Sequence, residues 1–184
     1  MPRYAALFRA VNLPAYGKLS MADLRALLER LGLRDVQTVL QSGNAVFSSP
    51  RAAGALETLI ERELLARLRL ASPVLVRGGP QLADVIAGNP FPREAAADPG
   101  HLLVVFLKSA PPAENVDALR RTIAGPERIE AAGSHLYAYY PAGVGTSKLT
   151  AALIERKLGT RGTGRNWNTV LKLNGLTGGE ARGR

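Results

Sequence analysis

VQTVLQSGNAVFS, residues 36–48, decides the fold. It holds two short β-rich runs, Val36–Leu40 and Asn44–Ser48, joined through Gln41-Ser42-Gly43-Asn44. Glycine and asparagine tolerate positive φ, so the stretch predicts a hairpin. Upstream, Tyr4–Val11 (YAALFRAV) is an almost unbroken apolar run, as in a central strand covered on both faces. Asn12–Leu19 contains Pro14 and Gly17 and reads as a loop. Ser20 then opens a helix, with Asp23 placed as in a capping box and Leu24, Leu27, Leu28 and Leu31 forming one stripe up to Gly32. Downstream, Arg51–Arg69 predicts a second helix with Leu56, Leu59, Ile60, Leu64 and Leu68 on one face and Glu63 spaced to pair with Arg67. Ser72–Arg77 completes a β-α-β-β-α-β order, which is ferredoxin-like.

The same order returns further on. Gly78–Gly100 reads as a connector, with a short helix around Gln81–Ala87 and then Asn89-Pro90-Phe91-Pro92. His101–Lys108 predicts a buried strand, Ala113–Ile123 a helix, and Glu127–Ala131 with His135–Tyr140 a hairpin turning at Ala132-Gly133-Ser134. A helix over Ser147–Leu158 follows. Only Thr160–Gly164 is left for a weak last strand, and Asn168–Leu176 reads as an extra C-terminal helix. The expectation is an α+β protein of two ferredoxin-like halves, residues 1–78 and 101–184, joined by residues 79–100.

Composition narrows the function. Across 184 residues, 46% are hydrophobic and 21% charged, as expected of a folded chain. Cysteine is absent, which removes thiol catalysis, disulfides and zinc–cysteine sites. Two histidines, His101 and His135, are too few for a multi-histidine metal centre. No apolar stretch approaches the ~18 residues of a membrane span, and MPRYAALFRAVN lacks a full signal-peptide core and cleavage site. A cytoplasmic protein with no membrane partner and no cofactor is expected. The net charge is +9. Residues 145–184 carry eight basic side chains against Glu155 and Glu180, which suits a phosphate-bearing partner. The strong preference of this chain for arginine over lysine gives a compositional explanation of the same charge.

Topology gathers candidate residues. A right-handed crossover makes the first two strands of such a unit parallel, so their C-terminal ends share one sheet edge. Asn12, Lys18, Gln41, Ser42 and Asn44 should therefore surround one polar rim, with Arg9 beside it. The alternative is that Gln41–Asn44 simply makes a good turn. Gly143-Val144-Gly145-Thr146-Ser147-Lys148 is faintly similar to a phosphate loop, but its lysine follows Thr146 and Ser147, so the Walker order is absent. An anion at the next helix, helped by Lys148, stands against simple capping by Thr146 or Ser147. Arg165-Asn166-Trp167-Asn168-Thr169 holds the single tryptophan. It suits either base stacking beside a phosphate-binding arginine or a core anchor with an asparagine cap. His135 and its neighbour Ser134 would point to opposite faces of a strand and form no nucleophile–base pair. His101 opens an apolar strand and reads as structural, and Glu127 and Glu130 as a solvated strand face. Tyr137, Tyr139 and Tyr140 read as packing or surface residues.

Several of these strings carry a resemblance. Ala6–Asn12, then Lys18, Met21 and Leu24, Thr38–Phe47 with its Q-S-G-N, Ser147-Lys148-Leu149, and Arg165–Leu173 with its R-N-W-N-T occur in one order over essentially the whole chain. In this the sequence resembles the bacterial family called domain of unknown function 1697. The resemblance implies two ferredoxin-like units and candidate sites, without implying a reaction. The family usually has R-G-I-N-V-G-G after its first strand, where this chain has Arg9-Ala10-Val11-Asn12-Leu13-Pro14-Ala15. The paired glycines are lost, and Pro14 removes an N–H donor.

The leading expectation is a binding protein for a phosphate-bearing partner, nucleic acid or a phosphorylated small molecule. Arg9, Lys18, Lys148 and Arg165 would supply charge. Asn12, Gln41, Ser42, Asn44, Asn166 and Asn168 would orient the ligand, and Trp167 would stack. The alternatives are an enzyme acting on a small anionic substrate and a protein-interaction module. No catalytic constellation decides between them, and oligomeric state is not readable.

Overall fold

The computed structural model describes residues 1–9, 20–39 and 43–178. The chain divides into two compact units, Met1–Ala87 with Lys172–Arg184, and Gly88–Leu171. In the first unit the order is β1 (Arg3–Phe8), α1 (Met21–Arg30), β2 (Arg34–Val39), β3 (Asn44–Ser48), α2 (Ala53–Leu68), β4 (Val74–Gly78) and α3 (Gly79–Ala87). The antiparallel sheet runs β2-β3-β1-β4. β1 and β2 both pair antiparallel with β3, so they point the same way. α1 begins as its sequence requires: the Ser20 hydroxyl accepts from the Asp23 N–H at 3.0 Å and donates to the Asp23 carboxylate at 2.6 Å.

Alternation along the strands builds the core. Ala6 and Phe8, Ala45 and Phe47, and Val74 and Val76 pack with Leu24, Leu27 and Leu28 of α1 and Leu56, Ile60 and Leu64 of α2. Ala5, Leu7, Val46 and Leu75 on the opposite face are also fully buried. This is why β1 reads as a continuous apolar run rather than an alternating one. Leu68 was expected on the buried face of α2 but, as the last residue of the helix, is 38% exposed.

β4 is an edge strand, and its outward N–H groups would be open to water or to another strand. They are all occupied. Val74 and Val76 donate to the carboxylates of Glu61 and Glu57, each at 2.8 Å, and Gly78 donates to the Gln81 side chain at 2.9 Å. Glu57 also meets Arg77 at 3.2 Å, both largely buried.

The second unit contains α4 (Pro92–Ala97), β5 (Leu102–Leu107), α5 (Ala113–Thr122), β6 (Arg128–Ala132), β7 (His135–Tyr139), α6 (Ala151–Leu158), β8 (Gly162–Asn166) and the start of α7 (Trp167–Thr177). Its sheet runs β6-β7-β5-β8, the same order as the first. Val105, Leu107, Leu119, Leu136, Ile154 and Leu158 form its core. α4 lies in what the sequence suggested was a proline-rich connector. Pro92 takes the first helical position, where its missing N–H costs nothing.

Two expectations are corrected. The last strand is not weak: β8 pairs with β5 along its whole length, from Leu107↔Gly162 to Leu103↔Asn166. Its sequence lacks apolar residues because the chains approach closely. A Cβ at Gly162 would stand 2.7 Å from the Phe106 carbonyl oxygen. The α6 helix starts at Ala151, not Ser147, because Thr150 is the cap and accepts from the Leu153 N–H at 3.2 Å.

Glu57→Ala strips an acceptor from β4 and a partner from Arg77. It is expected to lower unfolding free energy by about 2–4 kcal/mol in urea titration. Glu57→Gln, which keeps an acceptor for Val76, is expected to recover part of the loss.

Candidate functional site

Of the expected polar rim only Arg9 and Asn44 lie among the described residues, and both are engaged by the fold. Asn44 pairs with both Leu7 of β1 and Val39 of β2, so it sits between the two strand ends. It is fully buried, and its side-chain amide donates to the Val39 carbonyl at 3.2 Å, closing the hairpin. Arg9 is half-buried; its N–H donates to the Pro73 carbonyl at 3.2 Å and its carbonyl accepts from the Ser72 hydroxyl. Asn12, Lys18, Gln41 and Ser42 lie outside the described residues.

Arg165-Asn166-Trp167-Asn168-Thr169 spans the junction of β8 and α7. Trp167 is 6% exposed, so its indole offers no open face for a base to stack on. Arg165 is 7% exposed, and its guanidinium donates to the Thr163 hydroxyl at 2.7 Å and the Gly164 carbonyl at 2.8 Å. Burial pushes its pKa down to about 10. The Asn166 side chain accepts from the Thr169 N–H at 3.0 Å and caps the first turn of α7. Asn168 is exposed on that turn. This string is therefore largely an anchor.

The open chemistry of the second unit is elsewhere, around the loop between β7 and α6. Gly143 adopts φ 86°, which admits glycine and few other residues, and its N–H donates to the Tyr140 carbonyl at 2.9 Å. The chain then turns again, with Ser147 N–H donating to the Val144 carbonyl at 3.2 Å. Neither Thr146 nor Ser147 caps α6. The Thr146 hydroxyl donates to the Ala142 carbonyl at 3.4 Å. The Ser147 hydroxyl donates to the Glu127 carboxylate and accepts from the Leu149 N–H at 3.0 Å. This loop and residues 122–127 wall a cavity of about 300 Å³, with Glu127, Thr146, Ser147 and exposed Lys148 among its polar lining. The floor includes Leu149, next to the buried Tyr140, whose hydroxyl donates to the Leu149 carbonyl at 3.0 Å. Burial, with the Glu127 charge adding to it, pushes the Tyr140 hydroxyl up to about 12.

Within this loop the backbone N–H groups of Val144, Gly145, Thr146 and Lys148 donate to no acceptor among the described residues. Successive unengaged N–H groups on a turn form a concavity suited to an anion. The sequence reading noticed Lys148 but missed Glu127 and residues 122–126. They are far from Lys148 in sequence, and only the pairing of β6 with β7 brings the segments together. The adjacent Gly125-Pro126 and the glycine at 143 are the residual signal. Among the described residues no group of three or more His, Asp or Glu side chains is placed to hold a metal ion, and no helix is long and apolar enough to cross a membrane.

The family described as protein of unknown function (DUF1697) matches residues 1–137. A solved structure, that of the conserved bacterial protein SP0830 from Streptococcus pneumoniae, is similar over 96% of this chain and 98% of its own. The TM-score is 0.74 at 20% identity, a likeness of fold. No curated protein matches the sequence.

The burial of Trp167 sets an optical expectation. Its emission is blue-shifted from that of free tryptophan, and iodide quenches it little. Strong quenching in the folded protein would contradict the anchoring role.

Proposed function

The chain belongs to the DUF1697 family, and we propose that it binds a small phosphate-bearing molecule in the cleft between residues 122–127 and 142–149. One observation carries the reading: of the four residues with unengaged N–H groups, Thr146 and Lys148 line the cavity, and Lys148 adds an exposed ammonium. Backbone N–H groups and a lysine are the usual partners of phosphate, because both present positive charge to an anion without a competing acceptor. A cavity of about 300 Å³ suits a small molecule better than a strand of nucleic acid. Glu127 makes the cleft selective. It would repel an anion placed against it, so the phosphate would keep to Lys148 while hydroxyl or amino groups of the ligand meet Glu127, which already accepts the Ser147 hydroxyl. Phosphosugars and nucleotides have that polarity.

Of the other basic residues in this half, Arg156 and Arg161 are exposed while Arg165 is buried. Among the described basic residues of the 145–184 segment, Arg165 alone is buried, so one of the charges the sequence offered to RNA is withdrawn.

Titration calorimetry with ribose 5-phosphate, AMP and a short single-stranded RNA tests this. At least one of the two small esters is expected to bind saturably. Lys148→Ala is expected to weaken that binding about tenfold or more, the scale of one lost charge-assisted hydrogen bond. Absence of binding by both esters, or binding unaffected by Lys148→Ala, would overturn the assignment. RNA binding that falls steeply with salt while the esters do not bind would move the function to the basic surface.

A further inference from the structure

His101 and Asp98 form a pair that the cleft described above does not use, and a single turn of backbone separates them from it. His101 Nδ1 lies 2.9 Å from Asp98 Oδ2, and the Tyr139 hydroxyl donates to the same oxygen at 3.2 Å. A carboxylate on Nδ1 assigns the proton to that nitrogen and leaves Nε2 as the open one. The imidazole side chain is 44% exposed, so protons reach it from solvent. Nε2 is turned towards the ligand loop: a Cβ built on Gly143 would stand 3.6 Å from it. Gly143 is itself a wall of the cavity. The backbone ties the two together, with Tyr140 N–H donating to the His101 carbonyl and Gly143 N–H to the Tyr140 carbonyl, both at 2.9 Å.

The charged and titratable neighbours come from several elements. Asp98 precedes β5, and Tyr139 lies on β7. Arg128 of β6 sits over the Tyr139 ring, 5.3 Å from its centroid, and pairs with Glu94 of α4. Lys148 and Glu127 lie across the loop in the cleft. Among these residue types histidine alone ordinarily changes charge between pH 5 and 8.

We propose that His101, oriented by Asp98 and lying behind Gly143 outside the cavity lining, is a proton-dependent cation that reinforces Lys148. The inference rests on the reading of the cleft as a site for a phosphate ester and adds a regulation to it. Protonation of His101 places one more positive charge near the bound anion, so the complex favours the imidazolium. Binding then takes up a proton, and affinity rises as pH falls. At a separation on the order of 8 Å and an effective dielectric of ~20, a unit charge would change affinity about tenfold or more.

The probe is inorganic sulfate, whose charge is constant over this range; a phosphate monoester changes its own charge near pH 6 and would mask the effect. NMR follows the amides of residues 143–148 and the His101 ring during sulfate titrations at pH 5.5 and pH 8. The wild type is expected to bind about tenfold more tightly at the lower pH, and His101→Gln to differ less than twofold. Sulfate affinity that is equal at both pH values, or equally pH-dependent in His101→Gln, would overturn the role of His101 and leave the cleft reading standing. Loop amides unmoved by sulfate at either pH would overturn both.

Discussion

Glutamate carboxylates on helices hold one outer edge of each sheet, β4 and β8, and much of the structure follows from that contact. Glu57 and Glu61 are four residues apart on α2, a rise of about 6 Å. Val76 and Val74 are two residues apart on β4, about 6.8 Å. The near match lets one helix face meet alternate N–H groups of the strand at 2.8 Å each. The rotation this imposes on α2 also turns Leu56, Ile60 and Leu64 into the core. The second unit repeats the device, with Glu155 of α6 accepting from the Gly162 N–H of β8 at 2.9 Å. An edge closed in this way presents few free N–H groups to another strand.

Most of the fold was legible because its signals are local. The cap at Ser20, the leucine stripe of α1, the hairpin at residues 36–48 and the apolar run of β1 each need only neighbours in sequence. β8 was underestimated because its order comes from pairing with β5, while its glycines are selected by a close approach to the Phe106 carbonyl that no window of sequence contains. α4 was missed because prolines were read as breakers, although Pro92 at a first helical position is a helix start. The start of α6 was placed too early because Ser147 and Thr150 are both capping residues, and only the Glu127 carboxylate, distant in sequence, engages Ser147 elsewhere.

The site was less legible than the fold. Polar residues at the rim and in R-N-W-N-T looked available because amides and arginines are usually exposed. In the structure Asn44, Asn166 and Arg165 satisfy backbone groups and Trp167 fills space. Lys148 was found from its motif. Its surroundings, Glu127 and His101, were read as a strand face and a strand start, since each is ordinary until the sheet order brings it near the Gly143 loop. What remains is a cleft with one lysine and one carboxylate beside a loop with unengaged N–H groups, and a histidine near Gly143 outside the cavity lining.

Amide hydrogen exchange with and without saturating AMP tests the central claim most directly, that the Gly143–Lys148 loop offers its N–H groups to a ligand. The account predicts fast exchange at Val144, Gly145, Thr146 and Lys148 in the free protein and marked slowing with AMP, while Val74, Val76 and Gly162 stay slow in both. Loop amides already protected without ligand, or equally fast with it, would contradict the account.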